Sequence, residues 1–149
     1  MLVRILSLPL DNIYEAMYLT DFNNVDSWAK PYLYAFIDSR INSEPLHNEQ
    51  MVLSANNPIS RQDMVVMSLH ALNLDDFDKT NINIQIDDIY EIEDINEIDD
   101  FAIDYIMYAL SKDMLNINDN KIRPHDNAKR SEAAYFFGKA FYYYIWNNN

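Results

Sequence analysis

The sequence has no cysteine and only one glycine, Gly138, in 149 residues. Without cysteine the chain forms no disulfide and carries no thiol chemistry, although cytosolic and exported chains can both lack this residue. Because glycine is nearly absent, the turns must use Asn, Asp, Ser and Pro. These residues reach turn geometry through side-chain hydrogen bonds, and some of them tolerate left-handed backbone.

Long apolar runs and positive charge are also scarce. No run approaches the roughly 18 apolar residues that a membrane span needs, so we predict no membrane insertion. Eleven basic residues against 24 acidic ones give a formal charge of −13, which argues against a nucleic-acid partner. The 49% hydrophobic content is enough for one compact domain, or for two small repeated units that share a core.

Residues that usually carry catalysis or bind metal occur without the required spacing. None of the three histidines (His47, His70 and His125) has a second ligand at metal spacing on one helical face. No glycine-flanked serine offers a nucleophile elbow. The acidic run 87–100 lacks the glycine turn and closing glutamate of a calcium loop. We therefore predict no enzyme, no metal and no cofactor.

The chain contains an internal repeat. The stretch "WAKPYLYAFIDSRI" at 28–41 resembles "FAIDYIMYALSKDM" at 101–114, at an offset of 73. Further on, "NNPISRQDMVVMSLHAL" aligns with "PHDNAKRSEAAYFFGKAF", which places Arg61 on Arg130. Each unit thus has the pattern helix, extended loop, helix.

The predicted fold is mainly α: tandem helix-loop-helix repeats forming a compact helical bundle, with short extended segments in the connecting loops. Residues 1–10 are assigned to the tail of a preceding repeat, 11–75 to the first repeat and 76–149 to the second, packed as one globular unit. The predicted helices are 1–8, 27–38, 60–72, 98–112 and 127–146, and the alternating isoleucines of 82–86 predict a short strand.

The charge at the start of the helix after "NPIS" is unexpected. Ser60 and Asp63 form an N-terminal capping pattern, and Arg61 follows the cap directly. A cation at a helix start is unfavourable by about 0.3 to 1 kcal/mol. Either Arg61 pairs with an acidic neighbour such as Asp63 or Asp75, or it binds a ligand's anion together with the free N–H groups of the helix start.

The order of these motifs resembles the S-layer homology domain family. "FNNVDSWAKPY", an aliphatic helix and "NPISRQDM" follow each other in the first unit, and "EDINEIDDFAIDYI" and "KIRPHDNAKRSEAA" in the second. The resemblance implies helical units, often three in a row, that bind a pyruvylated secondary cell-wall polysaccharide. It also implies an extracellular location at the cell wall of a Gram-positive-type bacterium, although the chain shows no signal peptide.

The resemblance makes Arg61 and Arg130 the candidate anion contacts, with Ser60 and Trp28 in support. In the second unit Lys129 occupies the capping position, so Asn127 or Asp126 is expected to cap that helix. Lys129 is then either a second cation for an anionic polymer or an ordinary surface lysine. The glycines usual for the family after the first helix are replaced by "DSRINSE" and "KDMLNIND".

The segment "AYFFGKAFYYYIW" is the most aromatic of the chain. The favoured interpretation is a helix buried on most sides. The alternative is an exposed aromatic patch for a sugar, a protein partner or self-association, because Tyr142, Tyr143 and Tyr144 cannot all face inward. Two other functions stay open: an assembly module that has lost glycan binding, and an acidic protein that mimics nucleic acid and blocks a basic surface.

Overall fold

The computed structural model describes residues 4, 7–10, 22–38, 56–72, 92–117 and 119–147. The chain forms two compact units, Met1–Asn57 and Pro58–Asn149. The predicted strand of 82–86 and five of the eight residues of the predicted helix 1–8 lie outside the described residues.

Helices dominate the described residues. They comprise α1 (Lys30–Asp38), α2 (Arg61–Ala71), α3 (Ile103–Ser111) and α4 (Arg130–Asn147), with short 3-10 helices at Phe22–Asn24 and Ile95–Glu97. The described part contains no strand, only an isolated antiparallel bridge between Ser60 and Asn127. The mainly helical prediction is therefore confirmed. The repeat boundaries rest on sequence similarity and stay a prediction.

In the first unit, a turn at Asp26 leads into α1. The Asp26 carbonyl accepts the Ala29 N–H at 2.9 Å, and the Asn56 amide donates to the Asn24 carbonyl at 2.8 Å. Pro31 fits in the first turn of α1, where a missing N–H costs no helical hydrogen bond. The buried apolar residues of this unit include Val25, Tyr34 and Ala35.

In the second unit, α2 packs against both α3 and α4. Ser60 caps α2 as predicted: its Oγ accepts the Asp63 N–H at 3.1 Å and donates to the Asp63 carboxylate at 2.6 Å. The core is mainly apolar, with a few buried polar side chains, and burial of its apolar surface stabilises this small unit. Its most buried large side chains include Val65, Leu69, Ile106, Met114, Ile122 and Phe136.

Three helices begin later than predicted: α1 begins at Lys30 and not at 27, and α3 and α4 are also delayed. Residues 98–102 form a turn, closed by the Ala102 N–H to the Asp99 carbonyl at 2.8 Å, and α3 begins only at Ile103. Before α4, residues 126–128 pair with the start of α2, where Arg61 N–H donates to the Asp126 carbonyl at 2.9 Å. Tertiary contacts hold both segments out of the helices that follow them: pairing with α2 for 126–128, and bonds from the Gln62 side chain to Asp99 for the turn before α3.

The predicted cap of α4 is wrong. Lys129 is the capping residue: its carbonyl accepts the Ala133 N–H at 3.0 Å, and its own N–H donates to the Glu132 carboxylate at 2.8 Å. Neither Asn127 nor Asp126 makes a side-chain hydrogen bond to this helix start within the described segments. The glutamate of the first turn replaces them.

The described turns follow the prediction in part: Ser7, with φ of 51°, is one of the predicted residue types, but Arg123, which is not, also adopts left-handed backbone with φ of 54°. Asp113, Asp119 and Asn120 adopt left-handed backbone, with φ of 52°, 54° and 55°. Asp and Asn tolerate this region better than other residues because their short polar side chains bond locally.

The favoured interpretation of the aromatic segment is wrong. Phe136 and Phe137 of α4 are buried, but Tyr142 is 66% and Trp146 is 74% exposed. One face of α4 packs on α2, and the opposite face carries its aromatic rings into solvent. The alternative, an exposed aromatic patch, describes this helix.

Candidate ligand-binding site

Arg61 is buried at the start of α2, with 6% of its surface exposed. Its Nε donates to the Ile122 carbonyl at 2.7 Å and its Nη2 to the Asn116 carbonyl at 3.3 Å. Its Nη1 forms an ion pair with Glu132 Oε1 at 2.8 Å. Among the described residues, the acidic partner of Arg61 is therefore Glu132 of α4. Of the two neighbours considered from the sequence, Asp63 bonds Ser60 instead, and Asp75 lies outside the described residues.

Glu132 links two helix starts. One carboxylate oxygen pairs with Arg61, and the other accepts the Lys129 N–H at the cap of α4. Burial by itself raises the pKa of Glu132, but the Lys129 N–H and the Arg61 charge outweigh burial and lower the pKa below its usual value. The carboxylate is therefore ionised at neutral pH.

A pocket of about 330 Å³ opens beside this ion pair. Its charged lining groups are Arg61, Lys129 and Glu132, which together carry one net positive charge in a chain of net charge −13. The first turn of α4 adds N–H groups that have no partner within the helix. The remaining lining residues are Met64, Met114, Leu115, Asn116, Ser131, Tyr135 and Phe136. The pocket thus combines a small positive region with apolar and aromatic walls.

The structure brings together some of the residues predicted for the site. Arg61 and Lys129 line the pocket, and Ser60 adjoins Arg61 as the cap of α2. Arg130 is the exposed first residue of α4 and does not line the pocket. Trp28 belongs to the other compact unit, where its indole is 73% exposed and its Nε1 lies 3.3 Å from an Asp26 carboxylate oxygen.

The sequence did not indicate a role for Asp94, whose carboxylate holds the loop at Ile122 and Arg123 next to Arg61. This buried carboxylate accepts the Ile122 N–H at 2.8 Å and the Arg123 N–H at 2.6 Å. Because the Ile122 carbonyl in turn accepts Arg61 Nε, Asp94 positions the loop that holds the guanidinium. Its place within an acidic run gave no signal that distinguishes it from exposed neighbours such as Asp100.

Glu132 was also missed, although the sequence does carry a signal for it. A glutamate three residues after a helix cap often accepts the cap's own N–H. Had the cap been placed at Lys129, the spacing to Glu132 would have indicated this hydrogen bond. The distant partner of Glu132, Arg61, has no comparable local signal.

Two further properties bear on the class of site. The described residues contain no group of three or more His, Asp or Glu side chains arranged to hold a metal ion. No helix in the described part of the chain is both long and apolar enough to cross a membrane.

Comparison with known families identifies a segment that contributes part of the pocket lining. Residues 91–134, which include Asp94, Lys129 and Glu132, match the family model of the S-layer homology domain. No curated protein and no solved structure matched the chain. S-layer homology domains are binding modules of surface-anchored proteins, generally attach them to the cell wall, and are not enzymes. This match supports the predicted S-layer homology family for the segment 91–134.

Proposed function

We propose that this protein is a non-catalytic anchoring module that binds an anionic, pyruvylated secondary polysaccharide of a Gram-positive-type cell wall. The observation that carries the proposal is the positive charge of the pocket beside Arg61 and Lys129 in an otherwise strongly acidic chain. The free-energy cost of desolvating an anion is smallest where fixed cations and free N–H groups surround it. The pocket is such a place.

Each residue has a distinct part in this proposal. Lys129 supplies a cation that forms no salt bridge in the described segments, and the guanidinium of Arg61 is held rigidly at the pocket by its carbonyl partners and Glu132. Ser60 keeps the start of α2 in place. Arg130, exposed one residue beyond Lys129, extends the positive surface for the next charged sugar of a polymer.

Exposed aromatic rings precede the first helix of each proposed repeat. Trp28 is 73% and Phe101 is 41% exposed, and each follows an aspartate by two residues. In both places the aspartate carbonyl accepts the N–H of an alanine: Asp26 with Ala29 and Asp99 with Ala102. This shared turn supports the tandem arrangement of 11–75 and 76–149, with an aromatic face in each repeat for stacking on a sugar ring.

Co-sedimentation with cell-wall sacculi, with and without their secondary polysaccharide, tests the proposal. Lys129→Ala/Arg130→Ala removes two exposed cations that no described salt bridge uses, so the fold should be retained. We expect this variant to lose binding by about tenfold or more, as for paired charged contacts. The matched control is Lys139→Ala, which removes a lysine of the same helix that lies outside the pocket and pairs with Asp113.

Binding that needs neither the polysaccharide nor the two cations would contradict the proposal. So would equal losses in the Lys129→Ala/Arg130→Ala and Lys139→Ala variants. Circular dichroism of each variant checks that the helices remain. Arg61→Ala is a weaker test, because removal of a buried side chain with three polar partners destabilises the unit itself.

A second candidate function is a structural or assembly module without glycan binding. The observation that favours it is that Glu132 already provides Arg61 with an anion. In this case the pocket arginine serves to join α2 to α4, and no ligand is needed to balance its charge. Chains that stay in the supernatant with every sacculus preparation, while remaining folded, would support this function over anchoring.

A further inference from the structure

The exposed face of α4 follows one continuous row of side chains. Arg130, Ala134, Gly138, Tyr142 and Trp146 are spaced four residues apart, so they form a single ridge along the helix. All five are exposed. We call this row the α4 ridge. It contains the two most exposed aromatic side chains of the helix, Tyr142 and Trp146, whose rings stack with centroids 6.1 Å apart.

The corresponding row of α2 is buried. The sequence alignment that places Arg61 on Arg130 also places Val65 on Ala134 and Leu69 on Gly138. Arg61, Val65 and Leu69 are 6%, 0% and 0% exposed, because α2 packs against other helices of its own unit. The row of α2 that corresponds to the α4 ridge is therefore covered by neighbouring helices, whereas the α4 ridge itself is exposed.

Gly138 gives the α4 ridge a second unexplained feature. It is the only glycine of the chain, lies in the middle of an 18-residue helix, and has open space where a Cβ would be. A glycine in a helix interior costs about 0.5 to 1 kcal/mol relative to alanine. Nothing in the described structure requires it. Glycine does, however, let a second backbone approach closely.

We propose that the α4 ridge pairs with the α4 ridge of a second copy of this chain, antiparallel and with twofold symmetry about Gly138. In this register Gly138 meets its own counterpart, Ala134 faces Tyr142 of the partner subunit, and Arg130 faces Trp146 of the partner subunit. The two glycines thus allow close approach at the twofold axis, the small Ala134 lies opposite the large Tyr142 of the partner subunit, and the cation Arg130 lies opposite an indole ring. The ridge is complementary to itself, as an isologous interface requires.

Charge also favours a second copy at this face. Copies with a net charge of −13 repel each other over most of their surfaces, but the α4 ridge contains no acidic residue. Its one charge, Arg130, lies opposite the C-terminal end of the partner's helix, where a cation is favoured by the helix dipole. The indole face at that end adds a cation–π contact.

The exposed aromatic and aliphatic area along α4 sets the expected strength of the association between two copies. The exposed parts of Tyr135, Phe141, Tyr142, Ile145 and Trp146 amount to roughly 500 Å² per copy, at the usual size of these side chains. Two copies then bury about 1,000 Å², the lower limit for a specific interface. We expect a reversible dimer with a dissociation constant on the order of 10 to 100 μM. Added salt should strengthen it, because salt screens the repulsion between acidic copies.

Sedimentation equilibrium of the full chain from about 5 to 500 μM tests the pairing, a range that brackets the expected constant. Gly138→Leu and Trp146→Ala should each weaken association at least about tenfold. Leucine at position 138 meets only open space in a single chain, so the fold is retained. The matched control is Trp28→Ala, which removes an equally exposed tryptophan from the other unit and should leave the association unchanged.

The absence of cysteine allows a test of the register. Gly138→Cys places the two thiols at the twofold axis, where oxidation should join the copies. Arg130→Cys places them about 24 Å apart along antiparallel helices, beyond disulfide reach.

Three outcomes would overturn this inference: a monomer over the whole concentration range, association that survives both Gly138→Leu and Trp146→Ala, or equal cross-linking at positions 130 and 138. A monomer whose Trp146 fluorescence, measured in a Trp28→Phe background, responds instead to cell-wall polysaccharide would assign the ridge to sugar and also overturn the pairing. The inference does not depend on the proposed polysaccharide pocket. Added salt weakens that binding but strengthens this association, so failures of the two are distinguishable.

Discussion

Arg61 Nη1 and Glu132 Oε1 lie 2.8 Å apart and join the first turn of α2 to the first turn of α4. The pair compensates a cation that would otherwise oppose the helix dipole of α2. Glu132 at the same time occupies the favourable end of α4 for an anion and accepts the cap's N–H. One carboxylate therefore satisfies the electrostatic needs of both helix starts.

The first prediction concerns Glu132→Gln. The amide still accepts the Lys129 N–H but leaves the buried guanidinium with only carbonyl partners. We expect the free energy of unfolding to fall by about 1 to 2 kcal/mol, a value reduced from that of a buried pair because Glu132 is partly exposed to solvent screening. Urea unfolding followed by Trp146 fluorescence, in a Trp28→Phe background, measures the unit that contains the pair.

Asp113→Asn is the control for that variant. It breaks the ion pair between Asp113 and Lys139, which lies on the surface and is screened by water. Its effect on unfolding should be much smaller. Equal losses for the Glu132→Gln and Asp113→Asn variants would mean that the Arg61 pair contributes no more than an ordinary surface pair.

The second prediction is a dependence on pH. The pKa of Glu132 is lowered from its usual value of 4.5 in the folded chain, so the unfolded chain binds the proton more readily. The stability that this group contributes is complete above the unfolded pKa and is lost as the pH falls through the lowered folded pKa. The difference in unfolding free energy between wild type and Glu132→Gln should therefore be constant near neutral pH and shrink below about pH 4.5.

Urea unfolding at several pH values between neutral and about 3 measures this difference for the two proteins in parallel. The other carboxylates titrate in both proteins, so their contributions cancel in the difference between the two unfolding free energies. A difference that stays constant down to the lowest pH would show that the carboxylate charge is not what stabilises the pair.

The third prediction concerns Asp94. Alanine at this position leaves the Ile122 and Arg123 N–H groups without the charged acceptor that they share. We expect a loss of about 2 to 3 kcal/mol, typical of buried hydrogen bonds to a charged group. Asp94→Asn keeps one acceptor oxygen and should lose less. The same urea experiment measures both variants.

Asp100→Ala is the matched control, because this exposed aspartate lies six residues away in the same acidic run. Since the Ile122 carbonyl also accepts Arg61 Nε, the effects of Asp94→Asn and Glu132→Gln should not add. Additive losses would indicate that Asp94 supports the loop without influencing the Arg61 guanidinium.

Local chemistry explains what the sequence predicted correctly. Ser60 caps α2 because a serine and an acid three residues later satisfy each other without help from the rest of the chain. The turns at Asp113 and Asn120 likewise depend on the residue in the turn. Such features are visible in a short window of sequence.

Features that depend on distant parts of the chain were not predictable in this way. The turn before α3 is fixed by the buried Gln62, whose side chain bonds both the carboxylate and the N–H of Asp99. The late start of α4 follows from pairing with α2. Composition also could not indicate which face of the aromatic helix packs, since aromatic residues lie on both faces of α4.

The last prediction separates the cost of Gly138 from its proposed role. In a single chain Gly138→Ala adds a methyl group in open space and removes the conformational freedom of a glycine within a helix. We expect a gain of about 0.5 to 1 kcal/mol in unfolding free energy. The measurement is made at about 1 μM, below the expected range of association. Ala134→Gly, one step along the same exposed ridge, should lose a similar amount. A loss of stability in Gly138→Ala at this concentration would mean that the monomer itself needs the glycine, and the case for close approach by a second copy would lose its main support.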